Sequence, residues 1–332
     1  MHILFIGGTG NISTDCAAKL YRRGHEISVI TRGGSVVPPE YTAILADRTN
    51  RAALEQAVKD CTPDVVINFL GFDVPDVETD ATIFAEGLVQ YIFISSTTVY
   101  TKPHTTLPLT ETTPQGNPFS EYARKKQACE KWLLRRHAET GFPLTIVRPS
   151  HTYSPRWIPN PVASAGFTVA ARLQDGAPVF VPDDGQSLWT LTATSDFAIG
   201  LAGLVGRKDA VGEAFQITSD TPLTWNVIHS EIARALDAPT PNIVPIPTEF
   251  ICETCPIMTG KLKGDKAEHS IFDNAKIKRF VPDFTCAKSF REGIAESVAW
   301  FRADSARQTI DPNTNAIFDK IIGAWQDSQR PQ

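Results

Sequence analysis

The stretch Met1-His2-Ile3-Leu4-Phe5-Ile6-Gly7-Gly8-Thr9-Gly10-Asn11-Ile12-Ser13 decides the fold. Ile3 to Ile6 form an unbroken apolar run, the pattern of a strand covered on both faces. Glycines follow at once at 7, 8 and 10, and Ala17, Ala18 and Leu20 then continue with helical spacing. A strand, a tight glycine turn and a helix in that order bring backbone amides to a positive helix N-terminus, where an anion is stabilised. Ser13 stands where a third glycine is usual, and its small side chain is tolerated there.

Working outward, strand-like runs recur at His2–Ile6, Glu26–Thr31, Thr42–Leu45, Val65–Leu70, Tyr91–Ile94 and Leu144–Val147, each followed by turn residues and a helical stretch. This alternation predicts an α/β chain with a Rossmann-type, doubly wound parallel sheet over residues 1–155. The fourth and fifth runs are apolar almost throughout and belong at its centre. Beyond Pro149 the chain is punctuated by Pro155, Pro159, Pro161, Pro178 and Pro182, and residues 156–332 read mainly as a smaller C-terminal α/β substrate domain. A return to the main sheet is expected within 188–220, near Glu213–Ser219.

The composition narrows the partners. The chain has 332 residues, 42% of them hydrophobic, enough for a large core, and a net charge of -5 without a basic tract. A small molecule therefore suits it better than nucleic acid or an anionic membrane. No apolar run is long enough to span a bilayer, and no leader pattern precedes the first strand. Six scattered cysteines suit free thiols in a reducing compartment, so the expected location is the cytoplasm. Cys252 and Cys255 have metal-ligand spacing but no second pair nearby, and no metal site is expected.

The glycine turn calls for a dinucleotide, with Gly7, Gly10, Asn11 and Ile12 at its pyrophosphate. At the end of the second strand a carboxylate would bind the ribose hydroxyls of NAD, but Thr31 and Arg32 stand there. A guanidinium can grip a 2'-phosphate in a fork, so the NAD(P) site is read as favouring NADP. The alternative is a solvated Arg in the loop Arg32-Gly33-Gly34. Asp47 and Arg48 close the third strand beside the adenine, where Asp47 either accepts the adenine amino group or caps the helix that follows. Leu70 and Gly71, after the fourth strand, complete the cofactor residues.

Chemistry is carried by Ser95-Ser96-Thr97-Thr98-Val99-Tyr100, at the carboxyl edge of the fifth strand, and by Tyr122-Ala123-Arg124-Lys125-Lys126. A spacing of four puts Tyr122 and Lys126 on one helical face. A tyrosine is a poor base at neutral pH, and a neighbouring ammonium favours its phenolate. Ser96 then holds a substrate oxygen while Tyr122 exchanges its proton and the cofactor exchanges hydride.

These residues resemble the short-chain dehydrogenase/reductases, specifically the NAD-dependent epimerase/dehydratase family. The likeness runs through Gly7-Gly8-Thr9-Gly10, Ser95-Ser96, Tyr122 to Lys126, Val147-Arg148-Pro149, Asp183-Asp184-Gly185 to Trp189, Asp196-Phe197-Ala198 and Phe272 to Lys276. It implies Ser96, Tyr122 and Lys126 as the catalytic triad, with Lys126 also on the nicotinamide ribose, and Ser150, His151 and Tyr153 in the substrate pocket. Thr97 and Thr98 replace the Asp-Glu pair of sugar dehydratases, which argues against elimination. Trp189 stands where nucleotide-sugar epimerases carry an arginine for the diphosphate, with Arg156 and Arg172 as the only substitutes in view. The short 71–90 connection resembles an atypical branch that includes the chloroplast stem-loop-binding proteins.

The substrate-side candidates are Thr97, His151, Tyr153, Arg156 and Trp189. His151 either contacts substrate or caps the turn after Pro149, and Trp189 either stacks on a sugar or fills a domain interface. An amphipathic C-terminal helix with Ile317, Ile321, Ile322 and Trp325 seals either the core or a homodimer contact. The reading expects an enzyme that acts on a sugar-like carbinol. Epimerisation comes first, an NADP-dependent dehydrogenase or ketoreductase second, and a non-catalytic RNA-binding or regulatory protein last.

Overall fold

The computed structural model describes residues 1–163 and 166–331. Its main sheet opens with β1 (His2–Ile6), α1 (Ser13–Arg22), β2 (Glu26–Thr31), β3 (Thr42–Leu45), α2 (Arg51–Val58), β4 (Val65–Asn68), α3 (Val74–Ile83) and β5 (Gln90–Ile94). α4 (Glu121–Thr140) and β6 (Leu144–Pro149) follow. Then come β7 (His151–Tyr153), α5 (Thr168–Gln174), β8 (Val179–Pro182), β9 (Leu188–Ala193) and α6 (Thr194–Leu204), before β10 (Ala214–Ile217) returns beside β6. The seven strands lie in the order β10-β6-β5-β4-β1-β2-β3, all parallel, as the alternating pattern predicted. The order reverses between β1 and β4, and at that switch point the loops after the two strands diverge and leave a crevice.

Strand alternation feeds two apolar layers. Ile3, Phe5, Val29 and Ile67 face Ala17, Leu20 and Leu201, while Leu4, Ile6, Val66 and Phe93 face Leu54, Val77, Cys129 and Leu133. β4 is shorter than its apolar run suggests. Asn68 ends it, because its Oδ1 accepts the Leu70 amide at 2.7 Å and turns the chain out of the ladder.

β11 (Pro222–Thr224), β9 and β7 form a three-stranded sheet, and β12 (Ile243–Ile246) pairs with β8. A third core gathers around Trp189, Phe180 and Ile228, with α7 (Trp225–Ala235) packed on it. The C-terminal helix Pro312–Ser328 adds Phe318, Ile321 and Ile322 to this core, and Trp325 meets Phe250 edge-on, so its apolar face seals the chain's own interior. Ile277, Val281 and Phe284 cross back to the main sheet. No helix among the described residues is long and apolar enough to cross a membrane.

Candidate active site

The glycine turn is shaped by contacts only a bare backbone allows. Gly7 has φ +89°, and a Cβ there would stand 2.6 Å from Leu70 Cγ. Ser13 is buried, and its Oγ accepts the Gly10 amide at 2.8 Å, so the serine in place of the third glycine ties the turn rather than loosening it. Asn11 Nδ2 donates to Thr152 O at 2.8 Å and pins the turn to β7. No side chain caps α1, which leaves its first amides open to an anion.

From this turn a groove of about 570 Å³ runs past Thr31, Arg32, Asp47 and Leu70. Arg32 makes no ion pair among the described residues. Asp47 Oδ1 accepts Thr49 N at 3.0 Å and Thr49 Oγ1 at 2.8 Å, and these bonds hold its carboxyl below the usual range. Asn50, not Asp47, caps α2 through Ala53 N. Arg48 lines the groove, but its guanidinium is spent inside the protein. It donates to Asn68 Oδ1 at 3.3 Å, Asp76 O at 3.0 Å and Asp80 Oδ1 at 3.3 Å. Asp80 is fully buried, and its carboxyl is pushed up to about 6 because burial outweighs Arg48 and the bonds from Tyr91 and Asn68. That acid, 32 residues from Arg48 in sequence, takes the guanidinium the sequence reading gave to adenine.

At the other end of the turn a cavity of about 640 Å³ is lined by Ile12, Ser96, Thr97, Tyr122, His151 and Lys266, among others. Ser96 follows β5 and caps a short turn, its Oγ accepting Thr98 N at 3.2 Å and Thr98 Oγ1 at 2.9 Å. Both bonds are accepted, which leaves the Ser96 proton for the Tyr122 hydroxyl beside it. Tyr122 enters on the first turn of α4, which Ser120 caps through Ala123 N. One turn later Lys126 is buried and donates to Gly71 O and Ile94 O, both at 2.8 Å. Gly71 thus meets the lysine through its carbonyl. Desolvation pushes the Lys126 ammonium down to about 8.

The Tyr122 phenol carries its proton in the chain without cofactor. As a residue Tyr122 is 43% exposed, and it lines the cavity with its hydroxyl bonded to Ser96. Burial pushes the phenol up to about 12 against the bond with Ser96. Lys126 Nζ lies 5.8 Å from the ring centroid with its charge already held by two carbonyls. The group is a poised acid.

Of the substrate-side candidates, Thr97 and His151 reach the cavity. The His151 imidazole is pushed down to about 3 by burial, with the Lys266 ammonium adding to the effect, and stays neutral. Tyr153 is core, with its ring 5.4 Å from Phe290 and its hydroxyl against Gly293. Trp189 is 1% exposed, with ring centroids 4.5 Å from His151 and 4.6 Å from Trp225, so it fills the interior and presents no face to a sugar. Arg156 borders an adjoining recess that shares Gly10, Asn11 and Trp157 with this cavity. Arg172 donates to Pro178 O and pairs with Asp319 at 2.8 Å, far from substituting for the missing arginine. The cavity wall also includes Trp157, Lys261, Asp265 and Lys266, which the sequence reading missed. Lys261-Leu262-Lys263-Gly264-Asp265-Lys266 reads locally as a solvated turn, and only tertiary contact turns it inward.

Residues 3–218 match the model of the NAD dependent epimerase/dehydratase family. The chain is 29% identical over 256 residues to 2'-dehydrokanamycin reductase of Streptomyces kanamyceticus, covering 76% of this chain and 71% of that one. It is 28% identical over 268 residues to the chloroplast stem-loop binding protein of 41 kDa b of Arabidopsis thaliana, covering 75% and 67%. Among solved structures, the UDP-glucose 4-epimerase of Thermotoga maritima superposes with a TM-score of 0.72 at 21% identity, over 91% of this chain and 99% of that one, a likeness of fold.

Proposed function

The chain belongs to the NAD-dependent epimerase/dehydratase family, and on that footing we propose that it is an NADP-dependent reductase of a ketone on a compact, sugar-like polyol. The observation that carries this reading is the juxtaposition of a protonated Tyr122 and the Ser96 hydroxyl bonded to it, whose Oγ accepts twice from Thr98, at the cavity that adjoins the glycine turn. Gly7, Gly10, Asn11 and Ile12 would hold the pyrophosphate, Asp47 and Leu70 the adenosine half, and Arg32 the 2'-phosphate, since the groove is open and the guanidinium unpaired. When bound, the nicotinamide supplies hydride chemistry at the carbonyl carbon.

The residues of the chain do the rest. Ser96 donates a hydrogen bond to the carbonyl oxygen and fixes its place. Tyr122 hands its proton to that oxygen as negative charge develops there. Lys126 lies behind the ring and stabilises the phenolate left behind until solvent restores the proton. His151, held neutral, adds no competing charge beside the oxygen.

Reduction is favoured over the epimerisation that the sequence placed first. An epimerase must retain a loosened intermediate, and a diphosphate anchored by guanidinium would do so. Here Trp189 is interior, Arg172 is paired, and Arg156 does not line the cavity that holds Ser96 and Tyr122. Thr97 and Thr98 supply no acid-base pair for dehydration. The test is stoichiometric. With a panel of cyclic hydroxyketones, one NADPH should be oxidised per alcohol formed. Turnover with no net absorbance change at the reduced-cofactor band would establish epimerisation instead.

A further inference from the structure

The most unusual feature of the cavity is a pair of opposite charges left unjoined. Asp265 and Lys266 are consecutive on the π-helical turn Leu262–Lys266, a geometry that recurs at functional sites. Lys266 is 95% buried, yet its ammonium makes no hydrogen bond or ion pair among the described residues and lies 5.7 Å over the Trp189 ring. The Asp265 carboxylate has one long bond, from Trp189 Nε1 at 3.4 Å. Both residues line the cavity that holds Ser96 and Tyr122. Of the other nearby charges, Lys261 donates to Val162 O, while Lys102 lies 3.6 Å from Glu268 without a hydrogen bond and adds its charge on the Asp265 side.

The turn is fixed to the catalytic elements. Asn117 Nδ2 donates to Gly264 O at 2.7 Å and to Thr98 O at 2.9 Å, while its Oδ1 accepts the amides of Phe119 and Ser120 at 3.1 and 3.2 Å. Gly264 leaves room for this docking, since a Cβ there would stand 3.0 Å from Ser120 Cβ. One buried amide thereby joins the Ser96 turn, the start of α4 and the Asp265–Lys266 turn.

The Lys266 ammonium has no protein partner among the described residues, and the half-buried Asp265 carboxylate beside it keeps only its long bond from Trp189, so a donor-only and an acceptor-only group both face the cavity with capacity left for a ligand. A carboxylate or phosphate ligand would meet Lys266 but face Asp265, and an amine would meet Asp265 but face Lys266. A pair of neighbouring hydroxyls answers both, donating to one and accepting from the other. We propose that Asp265 and Lys266 form a subsite for a vicinal diol of a neutral, polyhydroxylated substrate. The assignment deepens the reductase reading and rests on it for the position of the reacting carbon.

The test uses binding and needs no turnover. Ligand-observed NMR titrations of the full-length protein with NADP present compare cis-1,2-cyclohexanediol with cyclohexanol, cyclohexanecarboxylate and cyclohexylamine. The diol should bind at least tenfold more tightly than each of the other three. Asp265→Asn, which keeps the shape, and Lys266→Met should each bring the diol to within threefold of cyclohexanol. A carboxylate or amine that binds best, a diol no better than cyclohexanol, or a diol preference surviving both variants would overturn the assignment. The wild-type ranking decides even if a variant fails to fold. A protein that ranks the diol first but never oxidises NADPH contradicts the reductase reading alone, and one that oxidises NADPH but ignores the diol contradicts the subsite alone.

Discussion

Replacing Arg148 by methionine strikes the frame that holds the catalytic helix. Arg148, in β6, is 4% exposed and grips Glu130 of α4 with two bonds, Nε to Oε1 at 2.9 Å and Nη2 to Oε2 at 2.6 Å. Its Nη1 also donates to Glu111 O at 3.1 Å. Glu130 is fully buried, and Arg148→Met leaves it with the Gln115 amide at 2.6 Å as its remaining donor. Removing one partner of such a buried pair costs about 3–5 kcal/mol, most of it from the stranded charge. For 332 residues the unfolding entropy is about 0.7 kcal/mol/K, which converts that loss to a fall in Tm of roughly 4–7 °C. Thermal and denaturant unfolding followed by circular dichroism measure it. The double variant Glu130→Leu, Arg148→Met removes both charges and should recover at least half of the loss. A single variant costing under about 1 kcal/mol, or a double variant less stable than the single, would refute the argument.

Arg32→Ala should raise the KM for NADPH by roughly 10- to 100-fold, the worth of a charge-assisted contact, and leave that for NADH within about threefold. Equal changes for both cofactors would remove Arg32 from the phosphate site. His229 is fully buried with neither ring nitrogen bonded, and burial pushes its imidazole down to about 4. The unfolded chain takes up this proton below pH about 6.5 while the folded chain resists until about 4, so stability falls as the pH drops through that window. His229→Leu should lose about 2 kcal/mol less than the parent between pH 7 and 4.5 in denaturant titrations, and parallel profiles would contradict the assignment.

What could be read from the sequence was local and periodic. The run Ile3–Ile6 with its glycine turn, and the apolar strands Val65–Asn68 and Gln90–Ile94, carry their own two-sided burial in their composition. Tyr122 and Lys126 were legible because helical spacing alone brings them together. What escaped depends on partners distant in the chain. Arg48 looked free because Asp80 lies on another element, Tyr153 looked like a pocket residue because nothing local reveals Gly293 against it, and only the packing of Trp225 decides between the two roles open to Trp189. Asp265 and Lys266 sit in a segment with the composition of a surface loop, turned inward by Asn117, whose bond to Gly264 spans 147 residues.

The account rests on Tyr122 as the proton donor, and Tyr122→Phe tests that most directly. The substitution keeps the ring and deletes only the hydroxyl. Ketone reduction followed by NADPH oxidation should fall by about 10²- to 10⁴-fold, while NADPH binding, read by fluorescence titration, stays within about threefold of the parent. Undiminished reduction in that variant, with NADPH bound as before, would contradict the mechanism.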